Sequence, residues 1–273
     1  MVDENIDDLW YWYLTGEKRP TFPPEFERAF EYYQRIYKLF PGAPRCFECD
    51  IPLGGLASYL LRPLGSRPSS FNSHFCSHCE GWARSREAGA EVELSLLFAD
   101  VRDSTQLAEK IGTVQFKDLI KRFYKASSDV LIEYNGMVNR LMGDQVLAVF
   151  VPRFAGKQHA KVAIQAARKL LQATGHDDPE GPWIPVGVGV HTGRAFVGVV
   201  GSKSGVNEIA VLGSAANLAA RLSSQAADGE VLVSNEALAS AGIDQGSLES
   251  RTLSLKGISS PVVASVLQPS SSL

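Results

Sequence analysis

The 273-residue sequence contains no long hydrophobic run. Its apolar stretches, such as 96–99 and 146–151, fall far short of the roughly 18 residues that a membrane-spanning helix requires. The first eight residues are largely acidic, whereas a signal peptide begins with basic residues and continues with apolar ones. We therefore predict a cytoplasmic protein without a membrane partner.

Positive charge is not concentrated anywhere either. Lys and Arg number 27 against 30 Asp and Glu, and no basic run of the kind that follows a phosphate backbone is present. Nucleic acid is therefore not expected as a partner. Glycine (24) and proline (14) occur at near-average frequency, which excludes collagen-like and low-complexity chains. The 45% of hydrophobic residues predict a globular chain with one large and one small domain, or two modest ones.

Cysteine is scarce, and all four cysteines fall in two C-x-x-C pairs. The pairs are separated by 26 residues and consist of Cys46 with Cys49 and Cys76 with Cys79. Two such pairs can close a tetrahedron of thiolates around one Zn²⁺, which would supply folding energy to a segment with few aliphatic residues. We predict structural zinc, with an iron–sulfur cluster or a thiol redox switch as alternatives. The nearby His74 and His78 are predicted to be surface residues.

Aromatic residues recur at helical spacing ahead of the first cysteine pair. They follow one another at intervals of 4, 3 and 4 residues: Phe26, Phe30, Tyr33 and Tyr37. This spacing predicts an amphipathic helix that opens at Pro23-Pro24 and ends by Pro41-Gly42, its aromatic face packed on the core or in a dimer contact. Residues 1–88 are thus predicted to form an N-terminal helix plus a four-cysteine module, the place where a regulatory partner would act.

From residue 92 the pattern changes to strands that alternate with longer helices. The predicted order is strand, two helices, hairpin, helix, hairpin, helix and strand. The first strand spans 92–99, the second helix ends at 135–136, the first hairpin spans 137–151, the third helix lies around 160–171 and the second hairpin spans 186–200. The second hairpin is expected to turn at His191-Thr192-Gly193. This order predicts an α+β fold, with helices on one face of a largely antiparallel sheet.

Two carboxylates stand where predicted strands end. Asp100 follows the first buried strand, and Asp144 lies with Gly143 in the turn of the first hairpin. If the two strands are neighbours, both side chains point at one spot, which suits a hard cation such as Mg²⁺. Each residue alone is also typical of a helix cap or a turn. Asp103 is predicted to cap the helix that follows Asp100, with Gln106 completing a capping box.

Four segments together resemble the class III adenylate/guanylate cyclase catalytic domain. They are, in the family's order, FADVRDST (98–105), RLMGD (140–144), GVGVHTG (187–193) and VLGSAANLAARL (211–222). The resemblance covers about 92–268, and we place the catalytic domain at 89–268 with a disordered tail over 269–273. It implies a ferredoxin-like core in which helices cover one face of an antiparallel-rich sheet. More loosely, the chain resembles bacterial cyclases that carry a four-cysteine segment before this domain.

The resemblance implies a head-to-tail homodimer with ATP or another nucleoside triphosphate bound between the subunits. The implied reaction is the conversion of ATP to 3′,5′-cyclic AMP and pyrophosphate. Asp100, Asp144 and the backbone carbonyl of Val101 would hold two Mg²⁺ or Mn²⁺ ions per active site.

Further roles are implied for residues elsewhere in the domain. From the other subunit, Asn217 would orient the ribose and Arg221 would bind the α-phosphate. The two residues are four apart and therefore share one helical face. Lys256 would bind the terminal phosphates, and the turn formed by Asp103, Ser104 and Thr105 would cradle phosphate.

Several positions depart from the family pattern. Arg140 and Ala210 occupy the base-reading positions, where lysine and an aspartate or threonine are usual. Arg140 still donates hydrogen bonds, but the side chain of Ala210 accepts none, so GTP or a pyrimidine nucleotide is an alternative to ATP. Asp103 replaces a glycine and is expected to act as a helix cap, and Ser214 is expected to cap the helix of Asn217. A catalytically silent nucleotide-binding regulatory protein is the remaining alternative.

Overall fold

The computed structural model describes residues 6–19, 21, 24–69, 75–84, 88–201, 208–258 and 260–270. These residues form two compact units, the first drawn from 1–90 and 197–210 and the second from 91–196 and 211–273. The domain boundaries expected from the sequence remain predictions, and residues 271–273 of the predicted tail lie outside the described residues. Within the described part, no helix combines the length and the apolarity needed to cross a bilayer.

The first unit contains short helices around the cysteine pairs. Its helices are α1 (Ile6–Thr15), α2 (Pro24–Lys38), α3 (Gly55–Leu60) and α4 (Ser77–Arg84), with a 3₁₀ turn over Arg62–Leu64. Helix α2 confirms the helix predicted from the aromatic spacing. Helix α1 was not predicted, although Asp7 and Asp8 in its first turn favour a helix start and Leu9, Trp10 and Tyr13 share its buried face.

The strands form one mixed sheet. They are β1 (Gly89–Val101), β2 (Met137–Met142), β3 (Gln145–Phe150), β4 (Val186–Val200), β5 (Glu208–Leu212), β6 (Val231–Ser234), β7 (Ser250–Leu253) and β8 (Val262–Leu267). The strand order is β2-β3-β1-β4-β6-β8-β7, and β5 pairs with β4. The β1/β3, β2/β3, β6/β8 and β7/β8 pairs are antiparallel, whereas β4 and β6 are parallel. The prediction of an α+β fold with an antiparallel-rich sheet is therefore confirmed.

The helices of the second unit lie against both faces of this sheet. They are α5 (Ser104–Ile111), α6 (Thr113–Glu133), α7 (Pro152–Ala155), α8 (His159–Ala173), α9 (Ser214–Gln225) and α10 (Asn235–Ala241), with a 3₁₀ turn over Gln245–Ser247. Helices α6, α8 and α10 share the main core with Val231 and Val233. Leu232, which alternates with them, packs with Leu222 of α9 in a separate cluster. The predicted helical layer covers one face of the sheet, and the structure adds α9 on the other face.

Residues 186–200 form the single strand β4, so the predicted hairpin with a turn at 191–193 is wrong. The polar residues that suggested a turn are buried and bonded to neighbouring strands. His191 Nδ1 lies 2.8 Å from Ser234 Oγ, and Thr192 Oγ1 lies 2.6 Å from Ser95 Oγ. The glycines of this strand are required by packing and not by a turn. A Cβ atom at Gly189, for example, would collide with the backbone nitrogen of Ser223 in α9. They allow the close approach of α9 to the sheet.

Candidate functional site

Strands β1 and β3 bring Asp100 and Asp144 together. Asp100 is paired in register with Gln145, and the backbone amide of Val101 donates to the carbonyl of Asp144 at 3.1 Å. Burial raises the pKa of Asp100, the charge of Arg102 opposes this rise, and the charge of Asp144 adds to it. The two carboxylates predicted from the strand ends therefore occupy one place.

Strand alternation sets the direction of the first carboxylate. Ala99 and Val101 belong to the main core, so Asp100 between them points to the opposite face of the sheet, on which α9 packs. There the guanidinium of Arg102 donates to Asp100 Oδ2, and the hydroxyl of Ser104 donates to Asp144 Oδ2. Two neighbouring carboxylates that already attract a cationic group and a hydroxyl group fit a hard, oxygen-binding cation.

A cavity of about 430 Å³ opens beside Asp144. Its lining includes Ser104 and Thr105, the first residues of α5, together with Gly143 of the hairpin turn and Phe116 of α6. The cavity therefore joins one of the two carboxylates to two residues of the predicted phosphate turn.

The backbone of Asp103 is left-handed, with φ +50° and ψ +33°. Asp103 is the N-cap residue of α5, as predicted, but among the described residues its side chain makes no capping hydrogen bond, so the predicted capping box is wrong. The helix begins through the backbone instead, because the carbonyl of Asp103 accepts from the amide of Leu107 at 2.9 Å. A left-handed position favours glycine and tolerates Asp or Asn best among other residues, which explains why the resemblance predicts glycine here.

Helix α9 presents Asn217 and Arg221 on its exposed side. Its other side buries Ala215, Ala219 and Leu222 against the sheet. Gly213, rather than Ser214, occupies the N-cap position, so the expected cap at Ser214 is also wrong.

The remaining predicted residues lie on other elements. Lys256 is exposed between β7 and β8, and together with Asn217 and Arg221 it is absent from the described lining of the cavity beside Asp144. Ala210 lies in β5. Arg140 lies in β2, and its side chain is outside the described part of the structure.

Two residues near the carboxylates were missed by the sequence reasoning. Arg102 contacts Asp100, and the hydroxyl of Tyr124 donates to the carbonyl of Gly143 at 2.7 Å. Burial raises the pKa of Tyr124, and the charge of Asp144 raises it further. The position of Arg102 inside the FADVRDST segment was the available signal for the first, whereas Tyr124 is distant in sequence from every motif.

The four cysteines form a second site, built entirely within the first unit. Their sulfur atoms all lie within 4.8 Å of one another, and Cys49 Sγ lies 3.7 Å from Cys76 Sγ. A tetrahedral site with Zn–S bonds of about 2.3 Å places its sulfurs about 3.8 Å apart. All four thiols are free of disulfides, so the cluster has the donors and the spacing to bind one metal ion.

The surrounding backbone fixes the cysteine cluster. The amide of Cys76 donates to Cys46 Sγ at 3.3 Å, and that of Cys79 donates to Cys76 Sγ at 3.3 Å. Arg45 ties the first pair to the end of α2, because its guanidinium donates to the carbonyls of Tyr37 and Asp50 at 3.2 and 2.7 Å.

Neighbouring sulfurs also change the acidity of these thiols. Their hydrogen bonds lower the pKa of Cys46 and Cys76 and, with burial added, raise the pKa of Cys49 and Cys79. A cation that binds all four sulfurs requires them as thiolates, which makes metal binding dependent on pH. His78 is exposed as predicted, and His74 lies outside the described residues.

The fold and the paired carboxylates define an α+β domain with a candidate cation site, and comparison with known proteins specifies the family. Residues 87–258 match the adenylate and guanylate cyclase catalytic domain family. This match covers more than half of the chain, and the chain belongs to that family. The resemblance predicted from the four sequence segments is confirmed.

One curated relative is named as an adenylate cyclase, and another is uncharacterised. The chain is 28% identical over 131 residues to a terminal-differentiation-specific adenylate cyclase of Dictyostelium discoideum, an alignment that covers 47% of this chain and 6% of that protein. It is 29% identical over 183 residues to an uncharacterised protein of Mycobacterium bovis, which covers 66% of this chain and 32% of that protein. The chain thus spans a third or less of the length of these curated relatives.

Solved structures share the fold. The guanylyl cyclase Cya2 aligns with a TM-score of 0.59 and 24% identity, over 65% of this chain and 92% of that one. The adenylyl cyclase CyaB from P. aeruginosa aligns with a TM-score of 0.57 and 23% identity, over 66% of this chain and 96% of that one. One guanylyl and one adenylyl cyclase thus align with this fold at similar TM-scores.

Proposed function

We propose that this chain is a nucleoside triphosphate cyclase that converts ATP to 3′,5′-cyclic AMP and pyrophosphate. The observation that carries the proposal is the convergence of Asp100 and Asp144 in a chain of the cyclase family, where Asp144 also lines a cavity with Ser104 and Thr105. We take ATP as the substrate because the chain belongs to the cyclase family. GTP and pyrimidine nucleotides are the alternatives, because Arg140 and Ala210 depart from the family's usual base-reading pair.

Asp100, Asp144 and the carbonyl of Val101 would hold two Mg²⁺ or Mn²⁺ ions. Such ions supply acidification of the ribose 3′-hydroxyl and neutralisation of the triphosphate. The chain itself supplies the fixed carboxylates, since the β1/β3 register sets their spacing and Ser104 orients Asp144.

The exposed face of α9 supports a composite site in a homodimer. Asn217 and Arg221 project away from the core of their own chain, where a second subunit can present its nucleotide. Asn217 would orient the ribose of that nucleotide, and Arg221 would bind the α-phosphate as charge develops. Lys256 would contact the terminal phosphates, and the turn formed by Asp103, Ser104 and Thr105 would receive phosphate.

Mass analysis of the products tests this proposal. Purified protein is incubated with ATP, GTP, CTP or UTP and with Mg²⁺ or Mn²⁺, in parallel with Asp144→Asn and the control Asp129→Asn. Asp129 is an exposed acid of α6 that pairs with Lys125 at 2.5 Å. We expect a cyclic product that Asp144→Asn abolishes and Asp129→Asn retains, and the accepted nucleotide identifies the base. A folded dimer that yields no cyclic product from any nucleotide contradicts the proposal.

The carboxylate of Asp103 favours a second candidate function, a nucleotide-binding regulatory protein without turnover. This carboxylate is exposed at the start of α5, in the turn assigned to phosphate. A negative charge there opposes a triphosphate. Nucleotide binding without pyrophosphate release, with turnover restored by Asp103→Gly, would support this candidate.

We propose further that the cysteine cluster holds structural Zn²⁺ and that this module controls the cyclase domain, with a regulatory partner acting there. The sulfur spacing near the tetrahedral value supports zinc. Elemental analysis tests the metal, and visible absorption with bound iron would indicate an iron–sulfur cluster instead. Zinc removal that changes neither dimerisation nor activity would contradict the control function. The cytoplasmic location remains a prediction from the sequence.

A further inference from the structure

One guanidinium joins the end of β1 that carries Asp100 to the end of α9. Arg102 Nη2 donates to Asp100 Oδ2, and Arg102 Nε donates to the carbonyl of Asp100 at 3.2 Å. The other terminal nitrogen, Nη1, donates to the carbonyls of Ser224 and Ala226 at 3.1 and 3.3 Å. Arg102 therefore bonds to both elements at the same time.

The link is held in a fixed place. The backbone amide of Arg102 donates to the carbonyl of Pro185, directly before β4, at 3.0 Å. The side chains of Arg102 and Asp100 are only 16% and 18% exposed, so water screens their attraction weakly. A charge-assisted contact with so little solvent is stronger than an exposed ion pair.

The carbonyls that Arg102 binds belong to the last turn and the C-cap of α9. The final carbonyls of a helix have no partner within the helix and carry its negative dipole end, so a guanidinium stabilises them. The same helix carries Asn217 and Arg221 on its exposed side. A change at Arg102 therefore acts on the element that presents these two residues.

We propose that Arg102 couples metal binding at Asp100 to the position of α9, and so links the two composite sites of the dimer. This inference rests on the proposed function, under which Asp100 binds a divalent ion and α9 serves the partner's nucleotide. A divalent ion and the guanidinium compete for the same carboxylate oxygen and repel each other. Metal binding releases Arg102 from Asp100 Oδ2 and alters its hold on Ser224 and Ala226. Arg102 is a positioning residue in this scheme.

The first test measures Mn²⁺ binding to the nucleotide-free dimer by electron paramagnetic resonance. Arg102→Gln removes the competing charge and is expected to bind Mn²⁺ about fivefold more tightly than the wild type, near the lower end of usual coupling factors. Arg102→Lys retains a charge beside Asp100, so its affinity stays close to that of the wild type. The matched control is Arg194→Gln, because Arg194 is an exposed arginine of the same unit that pairs with Glu91 at 3.1 Å.

The second test follows hydrogen exchange in segment 222–229 with and without Mn²⁺. The wild type and Arg194→Gln are expected to change exchange there when Mn²⁺ binds. Arg102→Gln and Arg102→Lys are expected to show no Mn²⁺-dependent change. The ammonium of Arg102→Lys cannot bond to Asp100 and to both helix carbonyls together, and Arg102→Gln has no charge that the ion could displace. A purely structural role of Arg102 would instead change exchange equally in both conditions.

The outcomes separate the coupling from the proposed function. The coupling is overturned if Arg102→Gln binds Mn²⁺ no more tightly, or if the wild-type segment does not respond to Mn²⁺, even where cyclic product forms. A wild type that binds no Mn²⁺ overturns it as well. A wild type that shows both responses but cyclises no nucleotide supports the coupling and contradicts the proposed function.

Discussion

The cysteine cluster and the acid site both combine potential metal ligands from separate segments of the chain. One chain supplies all four ligands of the cluster but only two carboxylates of the acid site. The cluster brings four sulfurs within 4.8 Å, enough to enclose a tetrahedral ion. The acid site gathers two carboxylates, Asp100 and Asp144, and α9 leaves Asn217 and Arg221 exposed. A closed ligand set is typical of a structural site and an open set of a catalytic one. We therefore expect the cluster to control stability and the acid site to control turnover.

The largest expected effect is the loss of a cysteine ligand. Cys46→Ser should release the metal and lower the free energy of unfolding of the first unit by several kcal/mol, part of the roughly 10 to 16 kcal/mol that zinc contributes in small peptides. Thermal unfolding in a Trp183→Phe background measures this, because the buried Trp10 then reports on the first unit. Asp144→Asn should leave the same melting curve unchanged. Equal melting curves for Cys46→Ser and its parent would break the comparison.

The next effect concerns the open site. Asp144→Asn and Arg221→Ala should each lower kcat by about 10³-fold, because one removes a metal ligand and the other the stabiliser of the developing charge. In mixed dimers, one site receives both defects and the other receives none, so an equal mixture should recover about a quarter of wild-type activity. Product formation after refolding the two variants together measures this recovery.

The control for that experiment is a mixture of two variants with defects on the same side of the site. Asp100→Asn combined with Asp144→Asn leaves no intact site in any dimer, so no recovery is expected. Recovery that is absent from both mixtures would show that each chain completes its own site, which contradicts the contrast between the open and closed sites.

A smaller effect separates the two units by their response to pH. Burial lowers the pKa of His159 and His191, so the folded chain keeps both neutral while the unfolded chain takes up protons near the ordinary value of about 6.5. The free energy of unfolding of the second unit should therefore fall as the pH drops below about 6.5, until the lowered pKa values of the folded chain are passed.

Urea unfolding between pH 8 and 5 measures this slope through Trp183 fluorescence, in a background where Trp10, Trp12 and Trp82 of the first unit are replaced by Phe. His159→Gln and His191→Gln should each reduce the slope, whereas His78→Gln, at an exposed position of the first unit, should not. A slope that both buried variants leave intact would assign the pH response to other groups.

The parts that the sequence predicted depend on local patterns. Turn residues and apolar spacing predict the hairpin around Gly143-Asp144 and the helices over 113–133 and 159–173. The C-x-x-C spacing of the two cysteine pairs predicts that their sulfurs meet in one cluster. The paired carboxylates needed only one further assumption, that their two strands are neighbours.

The parts that it did not predict depend on tertiary contacts. The segment His191-Thr192-Gly193 has the composition of a turn, but Ser95 and Ser234 on other strands satisfy its polar atoms. The bond of Arg102 to the end of α9 joins residues 122 and 124 positions apart, which no local pattern encodes. Helix α1 was not predicted, because its acidic first turn was interpreted only as evidence against a signal peptide. Aromatic residues that follow this turn lie on the buried face of the helix.

The smallest effect tests whether Asp103 shapes the open site through its backbone. Asp103→Gly relieves the left-handed strain but adds freedom to the unfolded chain, so the free energy of unfolding should change by less than about 0.5 kcal/mol. Asp103→Val should lower it by about 1 to 2 kcal/mol, because a β-branched residue strongly disfavours this conformation. Urea unfolding measures both values, with Asp103→Asn as the control that tolerates the same backbone. If Asp103→Val were as stable as Asp103→Asn, the turn would not require a left-handed residue, and Asp103 would act on this site through its charge alone.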